Sequence, residues 1–239
     1  MKTNLPNLFA ILILLFCLSC DSMVQEHGNG NITSKEFQFE SFDKVDISGA
    51  FEVHLRKAST TGVTITTDEN LHEFIKTELD EDVLKIWSER NLDSDEPILL
   101  EVNYDKLQGI SAGGASSIEG QDQITGDYLR VEMSGAGAID LDVSLKALRV
   151  SISGAGAMDL KGEVLEQYID MSGAGSLEAF GLKSQTCEIE LSGVGGASVF
   201  VEKRLEATVS GVGGVSYKGD PENVISNVSG IGSISKADD

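Results

Sequence analysis

From about residue 124 the chain alternates apolar and polar positions in short runs broken by glycine. Leu129, Val131 and Met133 alternate with Arg130 and Glu132; Leu148, Val150 and Ile152 alternate with Arg149 and Ser151. Period-two alternation marks a strand with one buried face. Each run ends at the same corner: Ser134-Gly135-Ala136-Gly137, Ser153-Gly154-Ala155-Gly156, Ser172-Gly173-Ala174-Gly175, Ser192-Gly193-Val194-Gly195, Ser210-Gly211-Val212-Gly213 and Ser229-Gly230-Ile231-Gly232. The serines are 19, 19, 20, 18 and 19 residues apart. Weaker copies lie upstream at Ser48-Gly49-Ala50-Phe51 and Ser111-Ala112-Gly113-Gly114. After each corner the alternation resumes, as in Ile139 and Leu141 or Met158 and Leu160. Each period therefore reads as strand, glycine corner, strand and a second turn such as Lys161-Gly162-Glu163.

A unit this short cannot bury its own apolar face and must stack on its neighbours. Stacked strands sit about 4.8 Å apart, so a large side chain at the corner would collide with the coils above and below. Glycine also reaches positive φ without steric cost. A leucine-rich repeat would carry leucine and asparagine signatures that are missing, and a propeller blade needs about 40 residues. The predicted fold is all-β: a right-handed parallel β-helix-like solenoid over 111–239, with an irregular β half over 36–110.

In that N-terminal half, Val45 and Ile47, then Val53 and Leu55, predict a strand, a corner and a second strand. Thr77–Leu79 and Val83–Trp87 predict a hairpin around Asp80-Glu81-Asp82. Leu71, Phe74 and Ile75 suggest one helical turn capped by Asp68. At the other end, Lys236-Ala237-Asp238-Asp239 is expected to blunt the last exposed strand.

The N-terminus reads as a leader. Lys2 precedes the apolar run Leu8–Phe16, too short to span a bilayer, and Leu18-Ser19-Cys20 follows. This resembles a bacterial lipobox. Residues 1–19 are then a lipoprotein signal peptide, Cys20 carries the lipid, and polar residues 20–35 form a tether. The expected location is the cell envelope, lipid-anchored at the outer membrane, with the membrane leaflet left open. Cys17 leaves with the leader and Cys20 is acylated, so Cys187 has no intrachain disulfide partner.

Three features together resemble a known family: Phe42-Asp43-Lys44-Val45-Asp46-Ile47-Ser48-Gly49, Val83-Leu84-Lys85-Ile86, and the serial Ser-Gly-x-Gly corners. The chain is similar over about residues 36–235 to the bacterial "putative auto-transporter adhesin, head GIN domain", common in Bacteroidota lipoproteins. That resemblance implies a β-helical fold, export and a role at the envelope. It transfers no catalytic residues.

Chemistry is sparse. A net charge of −21 repels nucleic acid. His27, His54 and His72 are far apart in sequence and read as isolated surface imidazoles, with no zinc spacing. The Ser-Gly-x-Gly corners lead into strands, not into the helix a phosphate loop needs. Six residues after their serines, Asp140, Asp159 and Glu178 should form a column of stacked carboxylates. Screening by water and salt would relieve their repulsion, or a divalent cation such as calcium would bridge them. A sparser acidic column is expected at Glu132, Asp170 and Glu190, without the basic groups a glycan-cleaving enzyme places nearby. Phe180 and Phe200, each eight residues after its serine, should stack on adjacent coils as a staple or an aromatic contact. No resident cofactor and no catalysis are expected. The sequence reading is an envelope-anchored binding or adhesin-like module for a glycan or protein; alternatives are a self-associating scaffold or, third, a glycan-cleaving enzyme. Oligomeric state is left open.

Overall fold

The structure is a computed structural model that describes residues 25–238. The leader and Cys20 lie outside the described residues. The N-terminal strands are β1 (Gln25–His27), β2 (Ile32–Gln38), β3 (Lys44–Gly49), β4 (Glu52–Lys57), β5 (Gly62–Asp68), β6 (Ile75–Asp80), β7 (Val83–Ser88), β8 (Asn91–Asp93) and β9 (Leu99–Tyr104). They are followed by β10 (Gly109–Gly114), β11 (Ser117–Gly120), β12 (Ile124–Met133), β13 (Ala136–Ile152) and β14 (Ala155–Met171). The last are β15 (Ala174–Leu191), β16 (Val194–Val209), β17 (Val212–Lys218), β18 (Asn223–Val228) and β19 (Ile231–Lys236).

The coils stack in parallel and the glycine corners sit in vertical register. Gly137 faces Gly156, Gly175 faces Gly195, Gly195 faces Gly213, and Gly213 faces Gly232. The predicted all-β solenoid is therefore the observed fold. Inward columns are packed dry: Leu129, Leu148, Cys187 and Leu205 are almost fully buried, as are Val131, Val150, Ile169 and Ile189. Gln167 interrupts the first of these columns and is also buried. Its Nε2 donates to Ser184 Oγ at 2.7 Å, and that hydroxyl donates to the Phe200 carbonyl at 2.8 Å.

The corner glycines are required chiefly by crowding. A Cβ on Gly154 would lie 1.8 Å from the Gly135 carbonyl oxygen of the preceding coil. The neighbour that excludes a side chain is backbone, which cannot yield, rather than the equivalent side chain. The predicted second turn is softer than expected. β13 to β16 each run from one glycine corner to the next as a bent strand, and β13 stays laddered to β14 through the bend. Gly162, at φ 106°, supplies the change of direction there.

Parallel stacking begins well before residue 111. β10 pairs with β3 on one side and β12 on the other, and β11 lies between β4 and β13. β3 and β4 stack in turn on β7 and β9. The chain thus places its second coil first in sequence, then turns back to build the coil beneath. Antiparallel β6 covers β7, and antiparallel β5 and β2 extend the other sheet. The predicted hairpin is present as β6 and β7, with Glu81 at φ 55° in its turn.

Three local readings change. The described part of the expected tether is largely strand: β1 pairs with β8, and β2 pairs with β5. Its polar side chains are those of an exposed end strand, which needs backbone partners rather than an apolar face. Asp68 does not cap the helical turn. The turn is a short 3₁₀ segment, His72–Phe74, without a side-chain cap. The buried Asp68 carboxylate instead accepts from Gly30 N–H and Ser94 Oγ, and the Ser94 hydrogen bond chiefly holds its pKa low. His72 is not a surface imidazole: it is buried, with Nε2 3.2 Å from the Thr33 carbonyl oxygen, and desolvation lowers its pKa.

Candidate functional site

The sequence-predicted residues fall on two faces of the solenoid. Asp140, Asp159 and Glu178 are in register on consecutive coils, as expected. Stacking continues the file upstream through Glu119, His54 and Glu101. That extension was invisible in chain order, because β4 and β9 join the file out of sequence. His54 is accordingly not isolated: Nε2 lies 3.3 Å from Glu52 and 3.8 Å from Glu119. The repulsion between Asp140 and Asp159 meets a third remedy. Lys161 Nζ lies 3.4 Å from Asp140 and 3.5 Å from Asp159. Among the described residues, no group of three or more histidine, cysteine or acidic side chains is placed to hold a metal ion.

Phe180 and Phe200 are not cross-coil partners. The register between β15 and β16 slips after Ala179, so Phe200 faces Lys183 and Phe180 lies in a bulge. The Phe180 ring instead lies under the Lys218 ammonium, 5.1 Å from its centroid. Both rings are half-buried. The extra residue in that 20-residue period is accommodated by the bulge.

The other face holds a feature the repeat pattern only hinted at. On β10 the outward positions are Gly109, Ser111 and Gly113, with Ile110 and Ala112 buried beneath. The neighbouring strands carry long side chains at the equivalent places. Lys44 and Arg130 flank Gly109, and Asp46 and Glu132 flank Ser111. One rung nearly stripped of side chains thus makes a trench along the strand direction, its walls two strand spacings (about 10 Å) apart. Two depressions, of about 320 and about 340 Å³, occupy it and share Asp46, Ser111 and Glu132. Serine hydroxyls of Ser48, Ser134, Ser151 and Ser153 line one end, and Tyr128, 38 % exposed, stands at the other. The sequence signal was Gly109 in a file that holds Val83 and Lys44 on one side and Arg130, Arg149, Tyr168 and Glu188 on the other.

The trench cations are each paired with a carboxylate, and Asp46 adds a further negative charge. Arg130 donates to Glu132 at 2.6 Å, Lys44 to Asp82 at 2.7 Å, and Lys85 to Asp80 at 2.6 Å. The Arg130 hydrogen bond holds the Glu132 carboxyl below its usual range. On the coils beyond, Arg149 stacks over the Tyr168 ring at 5.4 Å, beside Asp170 and Glu190 of the second acidic column. Ser151 separates Glu132 from Asp170 in that column.

The comparisons with known proteins follow the fold. A family model for the "putative auto-transporter adhesin, head GIN domain" matches residues 41–221. A solved "putative adhesin" from Bacteroides fragilis superposes with a TM-score of 0.85 at 22% identity, covering 89% of this chain and 100% of its own. A "putative lipid binding protein" from Parabacteroides distasonis gives 0.70 at 24% identity, covering 90% and 100%. A "putative adhesin" from Parabacteroides merdae gives 0.67 at 22%, covering 90% and 99%. No protein of curated function matches the chain. With 181 consecutive residues under the family model and its corner motifs stacked as the fold requires, the chain belongs to the head GIN domain family of auto-transporter adhesin-like proteins.

Proposed function

We propose that this protein is a lipid-anchored, non-catalytic adhesin-like module of the cell envelope that holds a neutral glycan chain in the β10 trench. The observation that carries the reading is the trench itself, a concave, one-chain-wide groove whose lining includes carboxylates, a guanidinium and serine hydroxyls.

The chemistry favours sugar over peptide. Both edges of β10 are already paired, to β3 and β12, so an incoming peptide finds no free backbone to extend the sheet. Recognition falls to side chains. Carboxylates, a guanidinium and serine hydroxyls match vicinal sugar hydroxyls, and the exposed Tyr128 ring offers a stacking platform. Each cation in the walls already has its own carboxylate, which favours an uncharged ligand over a uronate or a phosphate. A lipid-binding reading, after the name of the Parabacteroides distasonis protein, has less support, because Leu141, Leu148 and Leu160 fill the interior.

Cys20 would supply the anchor. Gln25, where β1 begins, lies five residues after Cys20, so the lipid would sit at most about 18 Å from the fold. Among the described residues no helix is long and apolar enough to cross a membrane; acyl chains on Cys20 would hold the protein at the bilayer.

The test is binding of the chain from Asp21 onward to an array of neutral and acidic oligosaccharides and peptides, with hits measured by calorimetry. Gly109→Trp is expected to fill the trench, since a Cβ there meets first the flexible Lys44 stem, and Tyr128→Ala removes the platform. Both should abolish binding without changing thermal stability by more than a few degrees. Hits confined to acidic glycans or peptides, or hits surviving both substitutions, would refute the reading. Loss of palmitate labelling in Cys20→Ala tests the anchor separately.

A further inference from the structure

The two ends of the solenoid are built differently. At the N-terminal end the last strands are antiparallel covers that carry charge: Lys35 and Glu36 on β2, and Lys76, Glu78 and Asp80 on β6. At the C-terminal end β18 and β19 are each laddered on one side only, to β16 and β17. Their apolar residues are largely uncovered, Ile234 being the partly buried exception. Val224 is 43 % and Val228 47 % exposed, whereas their partners one coil back, Leu205 and Val209, are fully buried.

Sheet edges are normally blunted by lysine, proline or inward-pointing charge. Residues 223–235 contain none of these and no charged side chain, in a chain of net charge −21. Lys236, the first residue of the charged end expected to blunt the last exposed strand, closes β19 and donates to Asp220, while β18 carries no charged side chain. The neighbouring corner ridge turns apolar toward the same end. Ala136, Ala155 and Ala174 give way to Val194, Val212 and Ile231, which are 59, 48 and 78 % exposed.

We propose that this open rung docks the open rung of a second copy, joining two solenoids end to end through antiparallel strand pairing about a two-fold axis. A second copy is the occupant that the charge argues for. Lys236, paired with Asp220, is the one charged side chain on β18 and β19, so this rung is where one acidic chain can approach another, and like edges meet antiparallel. An interface of two six-residue strands, each about 20 Å long, falls at the small end of specific contacts, so the dimer is weak alone and strengthened by multiplicity.

The consequence for adhesion rests on the anchoring reading above. Nine rungs at about 4.8 Å place the docking edge about 40 Å from the end where the chain enters at Gln25. Two docked copies therefore hold their anchors at opposite ends, about 80 Å apart, an arrangement suited to bridging two surfaces.

The experiment is sedimentation of the chain from Asp21 onward between 1 and 500 µM. A monomer–dimer equilibrium is expected, lost in Ser226→Lys, which places a charge at the open end, and in Ile231→Lys, whose side chain is too exposed to affect folding. Unchanged thermal unfolding of both variants shows that the coils remain intact. This assay needs neither lipid nor glycan, so its outcome is separate from the function proposed above. A chain that stays monomeric throughout leaves the edge to a strand of another protein and overturns the proposal, as does a dimer that survives both substitutions. Phosphatidylcholine vesicles bearing a maleimide lipid, coupled through Cys20 to a chain that begins at that residue, should cluster with wild type and not with either variant. Vesicles that stay dispersed while the dimer forms overturn the bridging.

Discussion

Lys161 Nζ lies 3.4 Å from the carboxylate of Asp140, on the preceding coil, and 3.5 Å from Asp159 on its own. Parallel stacking forces equivalent side chains into files about 4.8 Å apart, so a repeated acid becomes a line of like charge. One lysine two residues along is enough to interrupt it, and the neighbouring carboxylates raise the pKa of that lysine in return.

Lys161→Met should therefore lower the melting temperature slightly in 10 mM salt and not in 1 M salt, where mobile ions take over. Differential scanning calorimetry at the two ionic strengths measures this. A loss independent of salt would mean that Lys161 acts through packing of its stem instead.

The glycine corner makes a steeper prediction. Gly154→Ala places a methyl group within 1.8 Å of a backbone oxygen, and relief requires moving a whole coil. A destabilisation of about 3 kcal/mol or more is expected from chemical denaturation, at the upper end of overpacking costs. Ala155→Val, one residue on, should be nearly neutral, since Val194 and Val212 occupy the same exposed file.

Gln167 stands in a column of apolar residues, and its Oε1 has no hydrogen-bond partner. Gln167→Leu removes that buried acceptor and leaves Ser184 bonded to the Phe200 carbonyl. A gain of about 1 kcal/mol in unfolding free energy is expected from urea titration, because an unsatisfied buried polar atom costs about that much. A net loss would show that the Gln167–Ser184 bond outweighs the orphaned oxygen.

His72 predicts a pH effect with a definite sign. Burial depresses its folded pKa below the ordinary 6.5, so below pH 6.5 the unfolded chain binds a proton that the folded chain resists. The contribution of His72 to stability is therefore fully present above pH 6.5 and declines as pH falls through the folded value. His72→Gln should lose stability relative to wild type at pH 7.5 and recover part of that difference at pH 5.5. Paired urea titrations at the two values decide it, and an equal difference at both would rule it out.

What could be read from the chain was whatever repeats in chain order. The alternation around Ser134, Ser153 and Ser172 identifies the strands, and the period forces stacking, because a 19-residue unit cannot cover its own apolar face. The acid file at Asp140, Asp159 and Glu178 followed from equal offsets within equal periods. Phe180 and Phe200 failed because their offsets are equal but one period is a residue longer, and the bulge that absorbs the extra residue removes them from register. The trench and the open edge were decided by tertiary structure. Gly109 is an ordinary glycine until β3, which precedes it by some sixty residues, lies against one side of β10 and β12 against the other. The exposure of Val224 and Val228 likewise has no local cause. Their residue types are those of a core strand, and they face water because among the described residues β18 is laddered on one side alone.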